Sequence, residues 1–497
     1  MVASGQIKVP ARVELQSACK KVLFTAAKCF VSGLERTDTE VRVNGKVTTR
    51  VVFIDEFDGF NSEEHSDTWT EKFPHKGGNM SAMIPSVHLV ETQTGKNTRT
   101  DGDFITAINV EHIIGVGVMG LIPADTQYVT DMRGNVEVKR DKMKMSTFDT
   151  VLSERFEIGE TFTLDQSAEG VLGVDLNTAV RDIVCDDGRI VVKGVASACV
   201  SVVKTAEGGT GIHSNWYDWD FSKTFNIKTV GVNDTVAGSV LLSNVTVRVE
   251  NREKPELVIE AELLFTGHTV VAREIEAVQD AFAYENDLNF THTELHDVKA
   301  SPSANVAAEV DGNVSMPDGS PFIGKVIMST SPSVGALNVI ALDGKVTIEG
   351  VLTTHIIYEC EEKNIFSHTA QIPFSTACKI DGCTPEHNVA AAVTPLTCNV
   401  KARRGKELVV DARMQINVTA HTARPQRVAG DVTAGKSKTR DDSAITIHIA
   451  GQNESLWDIA KRTSIPTAEI LVQNPNLGAG IKEGARIVIY RQEVINF

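Results

Sequence analysis

VRVNGKVTTRVVF (41–53), IVVKGVASACV (190–200) and VTIEGVLTTHIIY (346–358) are three versions of one pattern. Each sets β-branched residues around a central glycine: Gly45, Gly194 and Gly350. Alternation with period two, dense in Val, Ile and Thr, predicts half-buried antiparallel strands. The glycines are spaced by about the length of a small domain. The pattern therefore reads as an internal repeat.

The flanking sequence recurs as well. A turn follows each anchor: Asp58-Gly59, Glu207-Gly208-Gly209, or Glu361 to Asn364. An aromatic-bearing strand comes next, in Trp69–Phe73, Trp219–Phe225 and Ile372–Phe374. A long alternating segment closes each copy, ELVIEAELLF (256–265) in the second and ELVVDARMQINV (407–418) in the third. The first copy offers DFITAINVEHII (103–114) and has enlarged turns. These signals predict a mainly β chain of three sandwich-like domains, over 1–135, 145–287 and 288–425. Helix is expected only locally. Ile275, Val278, Ala281 and Phe282 fall at helical spacing, so 273–284 reads as a helix docked between copies two and three. Residues 426–443, rich in Lys, Arg, Gly, Ala and Thr, read as a solvated linker.

The end of the chain has a different grammar. ITIHI (445–449) alternates as a strand. Ser455 stands three residues before Asp458 in capping-box spacing and opens a short amphipathic helix to Arg462. Pro466 suits the start of a second helix, which carries Ile470 and Leu471 and ends at Asn474-Pro475-Asn476. IVIY (487–490) closes as a strand. This small α+β unit, βααβ in order over 444–491, resembles a LysM module. The stretch Asn453-Glu454-Ser455-Leu456-Trp457 aligns with the usual Gly-Asp-Thr/Ser-Leu-Trp, and Asn tolerates the positive φ that glycine would adopt there. The resemblance implies a ligand or partner groove between Asn453, Glu454, Ser455 and Leu456 on one side and Asn474, Pro475, Asn476 and Leu477 on the other. Ile470 and Leu471 are expected to face a partner. Leu456 and Trp457 read as core.

Repeats with these glycine-centred strands, the Ile372-Pro373-Phe374 segment and a terminal LysM together resemble a clostridial family, the SipL-type sporulation proteins. Its members carry repeated spore-coat-associated SPOCS domains. The resemblance implies a non-catalytic spore-coat assembly adaptor in the mother-cell cytosol, at the forespore surface. Its LysM would dock on a coat morphogenetic ATPase (SpoIVA-like) or another spore-coat protein. Two alternatives stand beside it: a LysM protein that binds peptidoglycan, an N-acetylglucosamine polymer, and a phage-tail-like structural component.

Composition agrees with a globular, non-nucleic-acid reading. The chain has 497 residues, 42% hydrophobic, with a formal net charge of −16. That length exceeds one core, and that charge opposes a general affinity for nucleic acid or anionic lipid. The N-terminus shows no charged region followed by an apolar one, and no stretch is long enough to span a bilayer. Eight cysteines at irregular spacing suit a reducing compartment. Cys378 and Cys383 are too isolated for zinc. Gly115 to Gly120 matches G-x-G-x-x-G, but Leu121-Ile122-Pro123 follows where a helix must open on the phosphate. His292, Glu294 and His296 share one face of a strand, and Glu111-His112 reads as a surface pair. No catalytic grouping, metal site or cofactor site is expected.

Overall fold

The computed structural model describes residues 2–74, 82–95, 99–101, 104–121, 126–164, 168–206, 209–250, 255–439, 444–479 and 481–490. The chain is mainly β, and among the described residues its helices lie near the C-terminus. The strands run β1 (Val2–Arg36), β2 (Glu40–Asp55), β3 (Phe60–Pro74), β4 (Ala82–Thr94), β5 (Arg99–Asp101) and β6 (Phe104–Leu121). Then come β7 (Val136–Thr163), β8 (Ala168–Asp186), β9 (Arg189–Ala206), β10 (Gly209–Asn226), β11 (Thr235–Glu250) and β12 (Glu256–Ala283). The third set is β13 (Asn286–Ser315), β14 (Ile323–Leu342), β15 (Lys345–Cys360), β16 (Ile365–Lys379), β17 (Asn388–Ala402) and β18 (Glu407–Ser437). The terminal module is β19 (Ile445–Ile449), α1 (Leu456–Thr463), α2 (Thr467–Gln473), a 3₁₀ turn (Pro475–Ala479) and β20 (Arg486–Tyr490).

One topology occurs three times. In the second set, β8-β9-β10 form one sheet and β7-β12-β11 the other. In the third, the sheets are β14-β15-β16 and β13-β18-β17. In the first, the corresponding strands form one six-stranded sheet, β3-β2-β1-β6-β4 with β5 beside β6, because a single long strand joins its two halves. The early part of β1 pairs with β6, and its later part, from Cys19, pairs with β2. The two inner faces bury alternate residues, as antiparallel sheets with one wet face do. β2 and β15 follow nearly the same alternation, so that Val41, Val43, Val47 and Phe53 correspond to Val346, Ile348, Leu352 and Tyr358.

The anchor glycines have a common physical reason. Gly45 lies directly opposite Trp69, Gly194 opposite Phe221, and Gly350 opposite Phe374. Each aromatic ring lies across its glycine. A Cβ on Gly45 would stand 2.1 Å from the Trp69 ring and 2.4 Å from the Phe30 carbonyl oxygen. On Gly194 it would stand 2.2 Å from Phe221, and on Gly350 2.8 Å from Phe374. The missing side chain on the central strand lets the aromatic of the next strand lie flat against the sheet.

The chain divides into two compact units. One comprises 1–123, 148–271 and 299–422, the other 124–147, 272–298 and 423–497. In the first unit the repeats meet at an apolar cluster of Phe24, Val52, Leu172, Ile212, Met328 and Ile357, drawn from all three. Beside it, Arg50 of β2 donates to Glu64 (2.7 Å), to Asp175 of β8 (3.1 Å) and to the Val174 carbonyl (2.6 Å). The Thr330 hydroxyl of β14 donates to the other oxygen of Asp175. A nearly buried carboxylate is thus shared by three repeats and fully engaged, which favours this packing over others.

The second unit corrects two expectations. Residues 273–283 are strand, within β12. Val278 and Ala281 bury in a cluster with Ala429, whereas Phe282 buries in the core of the terminal module. Burial on both faces breaks the period-two pattern and mimics helical spacing. The expected linker is also strand as far as Ser437, within β18, where Val428 and Ala429 are buried. Pairing with β13 supplies what local composition does not. Gly430 and Gly435 accept close approach there: a Cβ would stand 3.2 Å from Thr293 and 3.0 Å from the Asp287 carbonyl oxygen, respectively.

Gly45→Ala, against ring and backbone, is expected to lower the thermal unfolding midpoint more than Gly350→Ala, which meets only side chains. Overpacking of the second kind costs about 1–3 kcal/mol. Calorimetry of the full chain distinguishes them; equal, negligible shifts would contradict the glycine–aromatic account.

Candidate functional site

The terminal module is built by local signals that can be followed bond by bond. Ser455 caps α1, its Oγ accepting from the Asp458 amide (3.2 Å), while Asp458 accepts from the Ser455 amide (2.9 Å). This reciprocal pair satisfies two orphan donors of the first turn. The Ser455 hydroxyl and amide hold the Asp458 carboxyl below its ordinary range. Asn453 adopts φ 59°, the left-handed conformation. Ser464, also left-handed, ends α1. Ile459, Ala460, Ile465, Ile470, Ile487 and Ile489 form the core between the two helices and the two-stranded sheet.

Most polar groups of the expected groove are spent inside the module. Glu454 accepts from the Gly451 amide (2.9 Å) and pairs with His448 (2.8 Å) and Arg462 (3.0 Å). The Gly451 amide, then His448, depress its carboxyl below the ordinary range. Asn474 donates to the carbonyls of Ile470 (3.0 Å) and Val488 (2.6 Å) and accepts from the Val488 amide (2.9 Å). Gln473 makes the same two-way contact with Tyr490, accepting at 2.8 Å and donating at 2.9 Å. Leu456 and Leu477, one from each expected loop, are half-buried against the same core. Asn453, Ser455, Pro475 and Asn476 are exposed.

Ile470 does not face outward. It is fully buried, whereas the next two residues, Leu471 and Val472, are 39% and 79% exposed. A helix of seven residues between a sheet and solvent has one inward stripe, and Ile470 is on it.

The contact that sequence reasoning missed joins the module to the end of β12. Trp457 Nε1 donates to Asp280 (2.8 Å), and Lys461 pairs with the same carboxylate (2.6 Å). The Trp457 and Phe282 rings meet edge to face, with centroids 5.3 Å apart. Phe282 itself completes the core of the module. Lys438, just after β18, donates to the Ala283 carbonyl (2.8 Å) and the Ser464 hydroxyl (2.7 Å). The module is therefore seated on strand ends within its unit. The two-sided burial of 277–283 was the available signal.

Other candidates are plainer. Gly115, Gly117 and Gly120 lie within β6, and no helix opens on them. His292, Glu294 and His296 line the exposed face of β13. Among the described residues, no three His, Cys, Asp or Glu side chains are grouped to hold a metal ion, and no helix is long and apolar enough to cross a membrane. Cys378 and Cys383 are buried, free thiols.

Three β repeats and a small α+β module define a class, a β-repeat protein. Residues 323–403, spanning β14 to β17, match the family model described as SipL, SPOCS domain. The match covers 323–403 of the 497 residues and likens that segment to a SipL SPOCS domain. No curated protein and no solved structure matches the chain.

Trp457→Phe keeps the ring contact and removes the donation to Asp280. The expected cost is about 1.5–3 kcal/mol, the worth of a hydrogen bond to a charged group. Hydrogen exchange of 444–490 in the full chain measures it. Protection unchanged from wild type would contradict the seating.

Proposed function

We propose that this chain is a non-catalytic assembly adaptor of the spore envelope. The SPOCS match at 323–403 carries the reading, because it ties the β repeats to sporulation. In this reading the repeats are rigid blocks, and the terminal module, read as a LysM, docks on a coat morphogenetic protein, a SpoIVA-like ATPase. The work is done in the mother-cell cytosol at the forespore surface.

The internal bonding of the module favours a protein over a glycan. A site for an N-acetyl group needs unspent amide and carbonyl groups that converge on it. Glu454 and Asn474 have theirs committed to Gly451, His448, Ile470 and Val488. Exposed apolar side chains, Leu471 and Val472 among them, are what protein interfaces use at their cores. The net charge of −16 argues against a general affinity for nucleic acid.

The test sets purified full-length chain against two immobilised baits, the coat ATPase and peptidoglycan sacculi. Retention by the ATPase and passage through the sacculi is the expected result. Retention by sacculi alone would replace this reading with the peptidoglycan-binding one.

A further inference from the structure

We propose that the outer edge of β19 is a strand-addition site, which takes an extended apolar segment of a partner protein as a third strand. The proposal rests on the docking reading above and locates it on one surface.

The two-stranded sheet of the module pairs Ile445 with Tyr490, Ile447 with Val488, and Ile449 with Arg486. Tyr490 and Val488 turn their backbone amides and carbonyls to Gln473 and Asn474, away from β19. In an antiparallel ladder, the residue opposite such a position also turns its backbone groups outward. Ile445, Ile447 and, by the period of two, Ile449 therefore offer N–H and C=O groups along the free edge. Among the described residues, β19 has one strand neighbour, β20.

The two edges are treated differently. The β20 edge is closed by side-chain amides that imitate a neighbouring strand. Among the described residues, the β19 edge has no such cover. Its sequence, Ile-Thr-Ile-His-Ile, holds no proline, lysine or carboxylate. Other outer strands in these sheets carry a charge or a proline, the devices that discourage pairing: Glu63 and Glu64 on β3, Pro85 on β4, Asp218 on β10, Pro332 on β14, Pro373 on β16, Pro395 on β17. The side chains add to this. Ile445, Ile447 and Ile449 are 58%, 60% and 64% exposed, in a row on one face.

The occupant follows from size and chemistry. A five-residue strand set against its own copy covers far less than the roughly 1,200–2,000 Å² of a stable interface. An extended segment of a larger partner can pair with the edge while the partner's body covers the isoleucine row. That segment should be uncharged and β-branched or aromatic at alternate positions.

The test uses the full chain and the coat ATPase as the probe. Ile447→Pro removes an outward N–H and spares the ladder to β20, a position where an edge strand tolerates proline. Ile447→Lys offers a second route, since it places charge on the edge without altering the backbone. Thermal unfolding shows that each variant is folded, and Glu483→Lys, at an exposed position in the turn before β20, serves as a control. Loss of affinity of tenfold or more in both Ile447 variants, with Glu483→Lys like wild type, is expected. So is slowed hydrogen exchange of 445–449 in the wild-type complex. If wild type binds and the folded Ile447 variants bind equally well, the edge proposal is overturned and docking stands. If wild type does not bind, docking fails and the edge proposal with it. A wild-type dimer that either Ile447 variant dissociates would name a second copy as the occupant and overturn the partner-segment proposal.

Discussion

Phe282 is the residue on which the C-terminal unit turns. It lies near the end of a 28-residue strand, yet its ring completes a core otherwise made by residues 450–489. Trp457 covers it edge-on and fixes its own indole to Asp280. The small module has few buried side chains of its own, and domains of that size are marginal alone. Borrowing a phenylalanine, and the strand that holds it, gives the module a larger core. It also fixes which faces are left for partners. α1 is turned toward β12 through Trp457 and Lys461, and β20 is sealed by Gln473 and Asn474. Among the described residues, the sheet face, the β19 edge and the Leu471–Val472 side of α2 remain exposed.

The repeats obey a second constraint, repeated three times with different aromatics. Trp69, Phe221 and Phe374 each need a glycine opposite them. The pairing pins the register of the two strands, because a slip by one residue would set the ring against a Cβ and turn every buried side chain outward. The repeats then meet over Phe24, Leu172 and Ile357, with Asp175 satisfied by Arg50 and Thr330 from the other two.

Much of this was legible in the amino-acid order. The glycine anchors, the aromatic strands and the capping box at Ser455 and Asp458 are local signals, and local chemistry decides them. The left-handed Asn453 was readable for the same reason. What misled was burial supplied from far along the chain. Residues 273–284 looked helical because two different partners cover the two faces of one strand. Residues 426–437 looked solvated because their charges point outward while Val428, Ala429 and two glycines face the neighbouring strand. Ile470 looked available because a seven-residue helix does not reveal in sequence which of two adjacent apolar residues turns inward. The expected groove lost most of its polar groups to internal bonds for which spacing gives no signal.

The seating of the terminal module on paired strands can be tested directly by native-state trypsin digestion. Arg427 and Lys436 are both within β18. Backbone held in a sheet resists cleavage, whereas an exposed linker is the preferred site of nicking. The account predicts that the bonds after these two residues survive digestion that cuts exposed loops elsewhere. Rapid release of a C-terminal fragment that begins at Val428 or Ser437 would show a module on a free tether and contradict it.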